Sequence, residues 1–293
     1  MKVYAYYNQF GPEPVKIKLM EFSAGESHVV LNFERSYNIT RIVIKGNIVS
    51  AKDLMDVVVI KNAVDNHFKA QKVQIDLFTG YMPYSRSDRV CATGEEFGLQ
   101  AFSTVLNSLK FDTVYTIDPH SEVTNQLVNN LIIVDQTYFI KSISYIFNNY
   151  DFVCAPDKGS SAKVKKVSDL IDIPLIQGLK TRNPETGALS GFDIVKPEDD
   201  IRKSSVIIVD DICDGGGTFI GLAEKLRKSY GVKNIGLLVS HGIFSKGTDI
   251  FKDADIRLFC INDLKGHYTS LAEYDELVKE VLVKTPKTIR TIE

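Results

Sequence analysis

The residues best suited to chemistry lie in one segment, 206–219, which reads VIIVDDICDGGGTF. Four apolar strand-forming residues lead to an acidic pair, and a further aspartate, three glycines and a threonine follow. Glycines at such a turn let backbone N–H groups approach a phosphate, and the helix that follows favours an anion at its N-terminus. Paired carboxylates accept hydrogen bonds from vicinal hydroxyls and bind hard cations. The predicted sugar-phosphate-binding residues are Asp210, Asp211, Asp214, Gly215, Gly216, Gly217 and Thr218.

A purely structural interpretation of the same segment is a glycine-rich turn whose two solvated acids cap a helix. A glycine run alone would favour neither interpretation. The complete order, an apolar strand, then DDxxDGGGT, then a helix, is far more typical of a phosphate site.

The surrounding pattern predicts the elements that position this turn. Short apolar runs alternate with amphipathic stretches, which is typical of an α/β fold with parallel sheets and helices on their faces. The pattern runs twice, and we expect one domain over 1–148 and a second over 149–293. The segment 181–200, rich in Gly, Pro, Asn, Ser and Thr, is expected to be irregular. Predicted strands are 73–78, 113–117, 151–155, 206–209 and 235–240; predicted helices are 95–109, 160–170 and 219–230.

Length and composition limit the class of protein. A chain of 293 residues favours two domains, and 44% hydrophobic with 25% charged residues is ordinary for a globular protein. A formal net charge of -2 gives no global basic field, so nucleic acid is not an expected partner. No apolar run is long enough to span a bilayer, so we expect no membrane partner. The N-terminal segment has no apolar signal core, and the four cysteines are widely spaced, so we expect reduced thiols and a cytoplasmic location.

The chain resembles the ribose-phosphate diphosphokinases, also called phosphoribosyl pyrophosphate synthetases, over about residues 22–247. The turn at 210–218 is similar to the signature of the type I phosphoribosyltransferase fold. The resemblance implies two tandem phosphoribosyltransferase-like domains, each a mostly parallel sheet flanked by helices. Members of this family are homo-oligomers, so a dimer or hexamer is implied.

Two further segments resemble ATP-binding motifs of that family. Residues 22–26 (FSAGE) are similar to FxxGE, with alanine where Asn or Asp is usual, and imply that Phe22 and Glu26 contact ATP. Residues 83–89 (PYSRSDR) are similar to PYxRQDR, with serine in place of glutamine, and imply that Arg86 and Asp88 bind ATP.

Other motifs imply the catalytic and metal residues. The segment 117–120 (IDPH) is similar to VDLH, and 155–159 (APDKG) to SPDxG, so that His120 and Asp157 would hold Mg²⁺. The segment 180–182 (KTR) resembles the KxR of a catalytic flexible loop, so that Lys180 and Arg182 would stabilise the transferred phosphates together with His120. Chance surface charges, an ordinary turn and a structural histidine are the alternatives at these positions.

The implied reaction transfers the β,γ-diphosphate of ATP to the C1 hydroxyl of ribose 5-phosphate, releasing AMP, with Mg²⁺ as cofactor and small molecules as partners. One departure bears on the acceptor: the turn reads DGGGT where the family usually has DTxGT. Gly215 lacks a hydroxyl donor and opens space, so a larger 5′-substituted ribose such as ADP-ribose stays open as an acceptor. A phosphoribosyltransferase and a non-catalytic regulatory homologue are the remaining alternatives.

Overall fold

The structure is a computed structural model and describes residues 1–8, 11–35, 37–182, 189–195, 200–266, 278–282 and 291–292. The chain divides into two compact units. We call Met1–Val134 with the strand Thr291–Ile292 the first unit, and the described residues from Asp135 to Leu282 the second unit. Each has its own buried apolar core.

The first unit is built on an eight-stranded sheet. Its strand order is β14-β7-β6-β5-β4-β1-β2-β3. Strands β4 to β7 and β14 are parallel, whereas β1, β2 and β3 add antiparallel strands at the other edge. The elements are β1 Lys2–Tyr7, β2 Glu13–Glu21, β3 Ser27–Asn32, β4 Ile39–Lys45, α1 Ala51–His67, β5 Gln74–Phe78, α2 Gly98–Ser108, β6 Thr113–Ile117, α3 Thr124–Leu127, β7 Leu131–Val134 and β14 Thr291–Ile292.

The second unit is built on a six-stranded sheet of order β10-β9-β8-β11-β12-β13, in which only β10 is antiparallel to its neighbour. The central strand β11 is fully buried along its apolar run, as expected for a parallel strand covered on both faces. The elements are α4 Gln136–Ser142, a 3₁₀ helix Ser144–Asn149, β8 Phe152–Ala155, α5 Ser161–Ile171, β9 Leu175–Arg182, β10 Leu189–Ile194, β11 Ser205–Cys213, α6 Gly217–Tyr230, β12 Asn234–Gly242, α7 Asp249–Asp253 and β13 Ile256–Asp263.

These two sheets confirm the predicted α/β class with mostly parallel sheets. The second unit begins at Asp135, earlier in the chain than the predicted boundary after residue 148. The side chain of Gln136, at the start of α4, bonds to the sheet of the second unit. Its Nε2 atom donates to the carbonyl oxygen of Asp210 at 2.9 Å and to Oγ of Ser240 at 2.8 Å, which binds α4 to β11 and β12.

The expectation that residues 181–200 are irregular was wrong in part. Strand β9 continues to Arg182, and β10 pairs with it in antiparallel fashion, with Lys180 opposite Phe192. The acidic pair also differs from its predicted position after the strand. Strand β11 continues beyond Asp210 and Asp211 to Cys213, because β12 is equally long and pairs with it as far as Gly242.

The cysteines differ in exposure. Cys91 is exposed in the loop between β5 and α2, whereas Cys154, Cys213 and Cys260 are buried. Burial raises the pKa of the Cys154 thiol to about 12. Burial, with the nearby charges of Asp210 and Asp214, raises the pKa of Cys213 to about 12.

In the part of the chain that the structure describes, no helix combines the length and the apolar character needed to cross a membrane.

A buried ion pair lies inside the first unit. Asp76 on β5 is 0% exposed, and its Oδ2 accepts from Nε of Arg41 on β4 at 2.5 Å and from Nε2 of Gln74 at 2.7 Å. Burial raises the pKa of Asp76 although the charge of Arg41 lowers it. Arg41 also packs over the Tyr6 ring, with Cζ 5.2 Å from the ring centroid.

Replacing Arg41 with methionine is expected to lower the free energy of unfolding by about 3–5 kcal/mol, because a buried carboxylate then loses its cation. Chemical denaturation of the purified variant measures this loss. The double variant Arg41→Met/Asp76→Leu should recover a large part of it, since no buried charge remains. Arg202→Met, which breaks the exposed pair with Asp200, is the control and should have no measurable effect. A single variant as stable as the control would contradict the prediction.

Candidate functional site

Two adjacent parallel strands end at the same edge of the second unit's sheet, and each carries carboxylates there. Strand β8 ends at Ala155 and is followed by Asp157, and β11 carries Asp210 and Asp211 close to its end. These strands are paired at Val206↔Phe152 through Ile208↔Cys154. Ligands of open parallel sheets bind beyond the carboxyl ends of the strands, so this edge is the expected place for a site.

The glycine-rich turn that is predicted to bind phosphate follows β11 directly. Gly216 caps α6 in the left-handed region, with φ of 74°, and a Cβ there would lie 2.8 Å from Cζ of Phe251, so only glycine fits. Its carbonyl oxygen accepts from the N–H groups of Phe219 and Ile220, both at 3.1 Å. Gly217 is exposed, and a Cβ on it would meet no atom within 4 Å. As at the start of any helix, the N–H groups of Gly217 and Thr218 have no acceptor within the helix, and the space beside Gly217 is open.

The acidic pair on β11 is asymmetric. Asp211 is 7% exposed, and its Oδ2 lies 3.3 Å from Nζ of Lys163 on α5. Oδ1 of Asp210 accepts from the N–H of Asp211 at 3.0 Å. Burial and the charge of Asp211 raise the pKa of the Asp210 carboxyl well above its ordinary value, and the charge of Asp157 raises it further while Lys180 opposes the shift. A vicinal diol or a cation bound at Asp210 would stabilise its ionised form.

Asp157 is held by its own turn and by Lys180. Its Oδ1 accepts from the N–H groups of Gly159 at 2.9 Å and Ser160 at 3.1 Å, and its Oδ2 accepts from Nζ of Lys180 at 2.5 Å. Burial raises the pKa of Asp157, but the bond to Lys180, its charge and the two N–H donors outweigh burial, and the net pKa is below the ordinary value. Asp157 is therefore a carboxylate at neutral pH.

Gly178 brings Lys180 to this edge. A Cβ on Gly178 would lie 2.6 Å from the carbonyl oxygen of Ala155 and 2.7 Å from that of Pro156. These are backbone atoms, so no side chain can turn aside to make room. The close approach of β9 to the end of β8 thus requires glycine at 178, and it places Lys180, two residues later, against Asp157.

The structure therefore brings together Asp157, Lys180, Asp210 and Asp211 in the second unit, with the turn at residues 214–218 after the same strand. Arg182 is the last residue of β9, and its side chain lies outside the described part of the chain. The catalytic and binding roles assigned to these residues stay predictions.

The candidate ATP residues lie in two places in the first unit. Phe22 and Glu26 close the β2–β3 hairpin: the N–H of Phe22 donates to the carbonyl oxygen of Glu26 at 2.9 Å. Phe22 is 55% exposed, and its ring centroid lies 5.4 Å from that of His28. Arg86 is exposed and Asp88 is half-buried in the loop between β5 and α2.

Ser87, which stands where the resembling motif has glutamine, anchors this second loop. Its Oγ accepts from the N–H of Gly98 at 3.2 Å, and its carbonyl oxygen accepts from the N–H of Leu99 at 3.0 Å. The serine thus joins the loop that carries Arg86 and Asp88 to the start of α2.

His120 belongs to the first unit, whereas Asp157, its predicted partner in metal binding, belongs to the second. His120 is exposed and follows the end of β6, after Asp118 in the left-handed region with φ of 35°. Among the described residues, no group of three or more His, Cys, Asp or Glu is placed to hold a metal ion. A single carboxylate such as that of Asp157 fits Mg²⁺, which is usually bound through one or two carboxylates with substrate phosphates and water.

Sequence reasoning missed Lys163 and Gln136. Lys163 is one of three lysines close together on α5, with Lys165 and Lys166, and only the packing of α5 against the sheet singles it out. Gln136 lies 74 residues before Asp210 in the chain, and nothing in the neighbouring sequence indicates that the two residues are in contact.

Comparison with known proteins identifies relatives over both units. The family model described as "Phosphoribosyl transferase domain" matches residues 124–275. A ribose-phosphate pyrophosphokinase of Mycoplasmopsis pulmonis is 28% identical over 70% of this chain and 62% of its own length. One of Pyrococcus abyssi is 28% identical over 90% of each chain. The match thus spans less than two thirds of the first relative and nearly all of the second.

Among solved structures, phosphoribosylpyrophosphate synthetase from Mycobacterium smegmatis has the same fold. The TM-score is 0.63, the sequence identity is 19%, and the similarity covers 84% of this chain and 86% of that one. The likeness extends over both units and agrees with the two tandem phosphoribosyltransferase-like domains predicted from the sequence.

Gly178→Ala is expected to displace β9 from the end of β8 and to cost about 1–3 kcal/mol of unfolding free energy, the usual effect of overpacking. Gly11→Ala is the matched control, because a Cβ on Gly11 meets no atom within 4 Å. Thermal or chemical denaturation compares the two variants. Equal stability of Gly178→Ala and Gly11→Ala would show that the close approach of β9 does not require glycine.

Proposed function

Since the chain belongs to the phosphoribosyl transferase domain family, we propose that it is a diphosphotransferase of the ribose-phosphate pyrophosphokinase type. The reaction moves the β,γ-diphosphate of ATP to the C1 hydroxyl of ribose 5-phosphate, giving phosphoribosyl diphosphate and AMP. The observation that carries the proposal is the Asp157–Lys180 ion pair at the strand ends beside Asp210, Asp211 and the triple-glycine turn.

The turn at 214–218 binds the 5′-phosphate of the sugar in this proposal. Exposed backbone N–H groups at the start of α6 and the Thr218 hydroxyl are the donors. Asp210 and Asp211 accept hydrogen bonds from the ribose hydroxyls. Lys163 supports the ionised form of Asp211, and Asp210, whose pKa is raised by burial and by the charge of Asp211, is the group whose proton is released when the sugar binds.

Transfer requires in-line attack of the C1 oxygen on the β-phosphorus. The bond from that phosphorus to the bridging oxygen of the α-phosphate breaks, AMP leaves with the electron pair, and the hydroxyl proton passes to water. The protein contributes mainly by positioning and by neutralising charge. Lys180 leaves Asp157 to contact the transferred diphosphate, and Arg182 on the same strand adds a second cation.

Mg²⁺ is the proposed cofactor, and when bound it polarises the transferred group and neutralises part of its charge. Asp157 and His120 are the residues proposed to hold it. Phe22, Glu26, Arg86 and Asp88 are proposed to bind ATP. Assembly into a homo-oligomer stays a prediction.

Ribose 5-phosphate is the proposed acceptor rather than a larger 5′-substituted ribose, because the curated relatives that match both units are named ribose-phosphate pyrophosphokinases. The same relatives favour this reaction over that of a phosphoribosyltransferase. A match over 90% of the chain includes the first unit, which an enzyme that only consumes the activated sugar would not need.

The direct test incubates purified protein with Mg-ATP and ribose 5-phosphate and follows AMP by chromatography and the new diphosphate by ³¹P NMR. AMP formed in equal amount with a C1 diphosphate supports the proposal. Release of inorganic phosphate and ADP would instead indicate an ATPase. No AMP with the sugar, together with consumption of phosphoribosyl diphosphate in the presence of a base, would indicate a phosphoribosyltransferase.

Lys180→Ala is expected to lower kcat by roughly 10²–10³, the usual loss for one group that stabilises transition-state charge. The KM for ribose 5-phosphate should change little, since the phosphate turn is untouched. Lys165→Ala, an exposed lysine on α5, is the control and should retain full activity. Turnover near that of the native protein in Lys180→Ala would remove Lys180 from the mechanism.

A further inference from the structure

The phosphate turn lacks a cation of its own. Residues 210–218 contain three aspartates and no lysine or arginine, and the first basic residue of α6 is Lys225. The aspartates are close enough to act on the turn: the charges of Asp210 and Asp214, together with burial, raise the pKa of the Cys213 thiol. A phosphate monoester carries nearly two negative charges at neutral pH. The N–H groups of the turn would have to hold that charge against neighbouring carboxylates.

Lys246 lies beside the same turn. A Cβ placed on Gly215 would lie 3.6 Å from both Cδ and Cε of Lys246, and 3.5 Å from Oγ of Ser245. The methylene chain of Lys246 therefore borders the space that a side chain at position 215 would occupy, and its ammonium is one bond beyond Cε. Gly215 itself adds no side chain to this space.

The segment that carries Lys246 is fixed against the turn by its backbone. The N–H of Ile243 donates to the carbonyl oxygen of Cys213 at 2.8 Å, and that of Ser245 donates to the carbonyl oxygen of Asp214 at 3.2 Å. Phe244, 1% exposed, packs edge-on against Phe251 with ring centroids 6.1 Å apart. Phe251 is also the ring against which Gly216 fits. The buried pair of Phe244 and Phe251 thus supports both the glycine turn and the segment that carries Lys246.

The ammonium of Lys246 is available for a ligand. The side chain is exposed, and within the described residues no carboxylate lies at ion-pair distance from it. Nearby lysines differ in this respect, since Lys163, Lys180 and Lys225 each pair with an aspartate.

We propose that Lys246 is an acceptor-binding residue whose ammonium pairs with the 5′-phosphate of the sugar held at the Gly215–Thr218 turn. Gly215, by lacking a side chain, leaves the space in which phosphate and ammonium meet. The inference rests on the proposed function for the identity of the sugar, and it assigns the phosphate monoester group as the feature that Lys246 recognises. The residue would therefore set the affinity for the acceptor and leave that for ATP unaffected.

Equilibrium binding tests the assignment without turnover. Calorimetry with ribose 5-phosphate, and separately with inorganic phosphate, compares the native protein with Lys246→Met, Lys246→Arg and Lys252→Met. Lys252 is an exposed lysine on the adjacent α7 and gives the same loss of charge. We expect Lys246→Met to weaken binding of ribose 5-phosphate by roughly tenfold, the low end of a hydrogen bond between charged groups. Lys246→Arg should keep most of the affinity, and Lys252→Met should match the native protein.

The assignment would be overturned if Lys246→Met bound ribose 5-phosphate as tightly as the native protein. It would also be overturned if Lys252→Met lost as much affinity for ribose 5-phosphate as Lys246→Met. Because Lys246 is exposed, the variant is expected to fold, and its melting temperature checks this. Kinetics separate the two proposals. If the native protein releases AMP and Lys246→Met has an unchanged KM for ribose 5-phosphate, the assignment fails and the proposed function stands. If no AMP forms but ribose 5-phosphate binding depends on Lys246, the proposed function fails and the assignment stands.

Gly215→Thr tests the space between turn and lysine. A Cβ fits there, since its nearest neighbours are 3.5–3.6 Å away. We expect the two positions to be coupled: the threonine should change ribose 5-phosphate binding by a different amount in the native background, where it borders the Lys246 side chain, and in Lys246→Met. Additive effects in the double-variant cycle would show that the glycine and the lysine act independently and would refute the shared space.

Discussion

Three aspartates lie close together at one edge of the second unit's sheet, and the repulsion among their carboxylates is the constraint that the surrounding elements must satisfy. Asp157, Asp210 and Asp211 are brought together because β8 and β11 are neighbours and end at the same edge. The burial that raises the pKa of Asp210 makes uncompensated charge there costly. Lysines from two other elements offset it, Lys163 from α5 and Lys180 from β9. The positions of α5 and β9 thus serve the electrostatics of the edge as well as the packing of the core.

The parts of this arrangement that the sequence predicts are those with strong local patterns. The apolar run of β11, the glycine turn and the amphipathic α6 have distinct periods and turn residues, and the structure has all three. The end of β11 is not predictable from its own residues, because Asp210 and Asp211 stay in the strand only through pairing with β12. Strand β10 was missed for a similar reason, since only its register with β9 makes a strand of a short stretch that mixes apolar residues with serine, glycine and aspartate.

Side-chain contacts between distant segments were the least predictable features. The pairing of Lys163 with Asp211 and the bond from Gln136 to Asp210 depend on helix packing, and neither has a spacing that marks it. The glycines differ in how far the sequence indicates their importance. The three glycines of the turn form a recognisable motif, whereas Gly178, whose missing side chain decides where Lys180 lies, stands alone between Gln177 and Leu179 with no motif to mark it.

The difference in exposure among the four cysteines has a practical consequence. Three thiols are buried, and burial raises the pKa of each, so they stay protonated and out of reach of alkylating reagents. Cys91 is exposed in the same loop as Arg86 and Asp88, and its N–H is held by Oε2 of Glu95 at 2.7 Å. The native chain therefore already offers a selective attachment point for a maleimide fluorophore. A dye at Cys91 would report changes in the surroundings of that loop in real time, with no engineered cysteine.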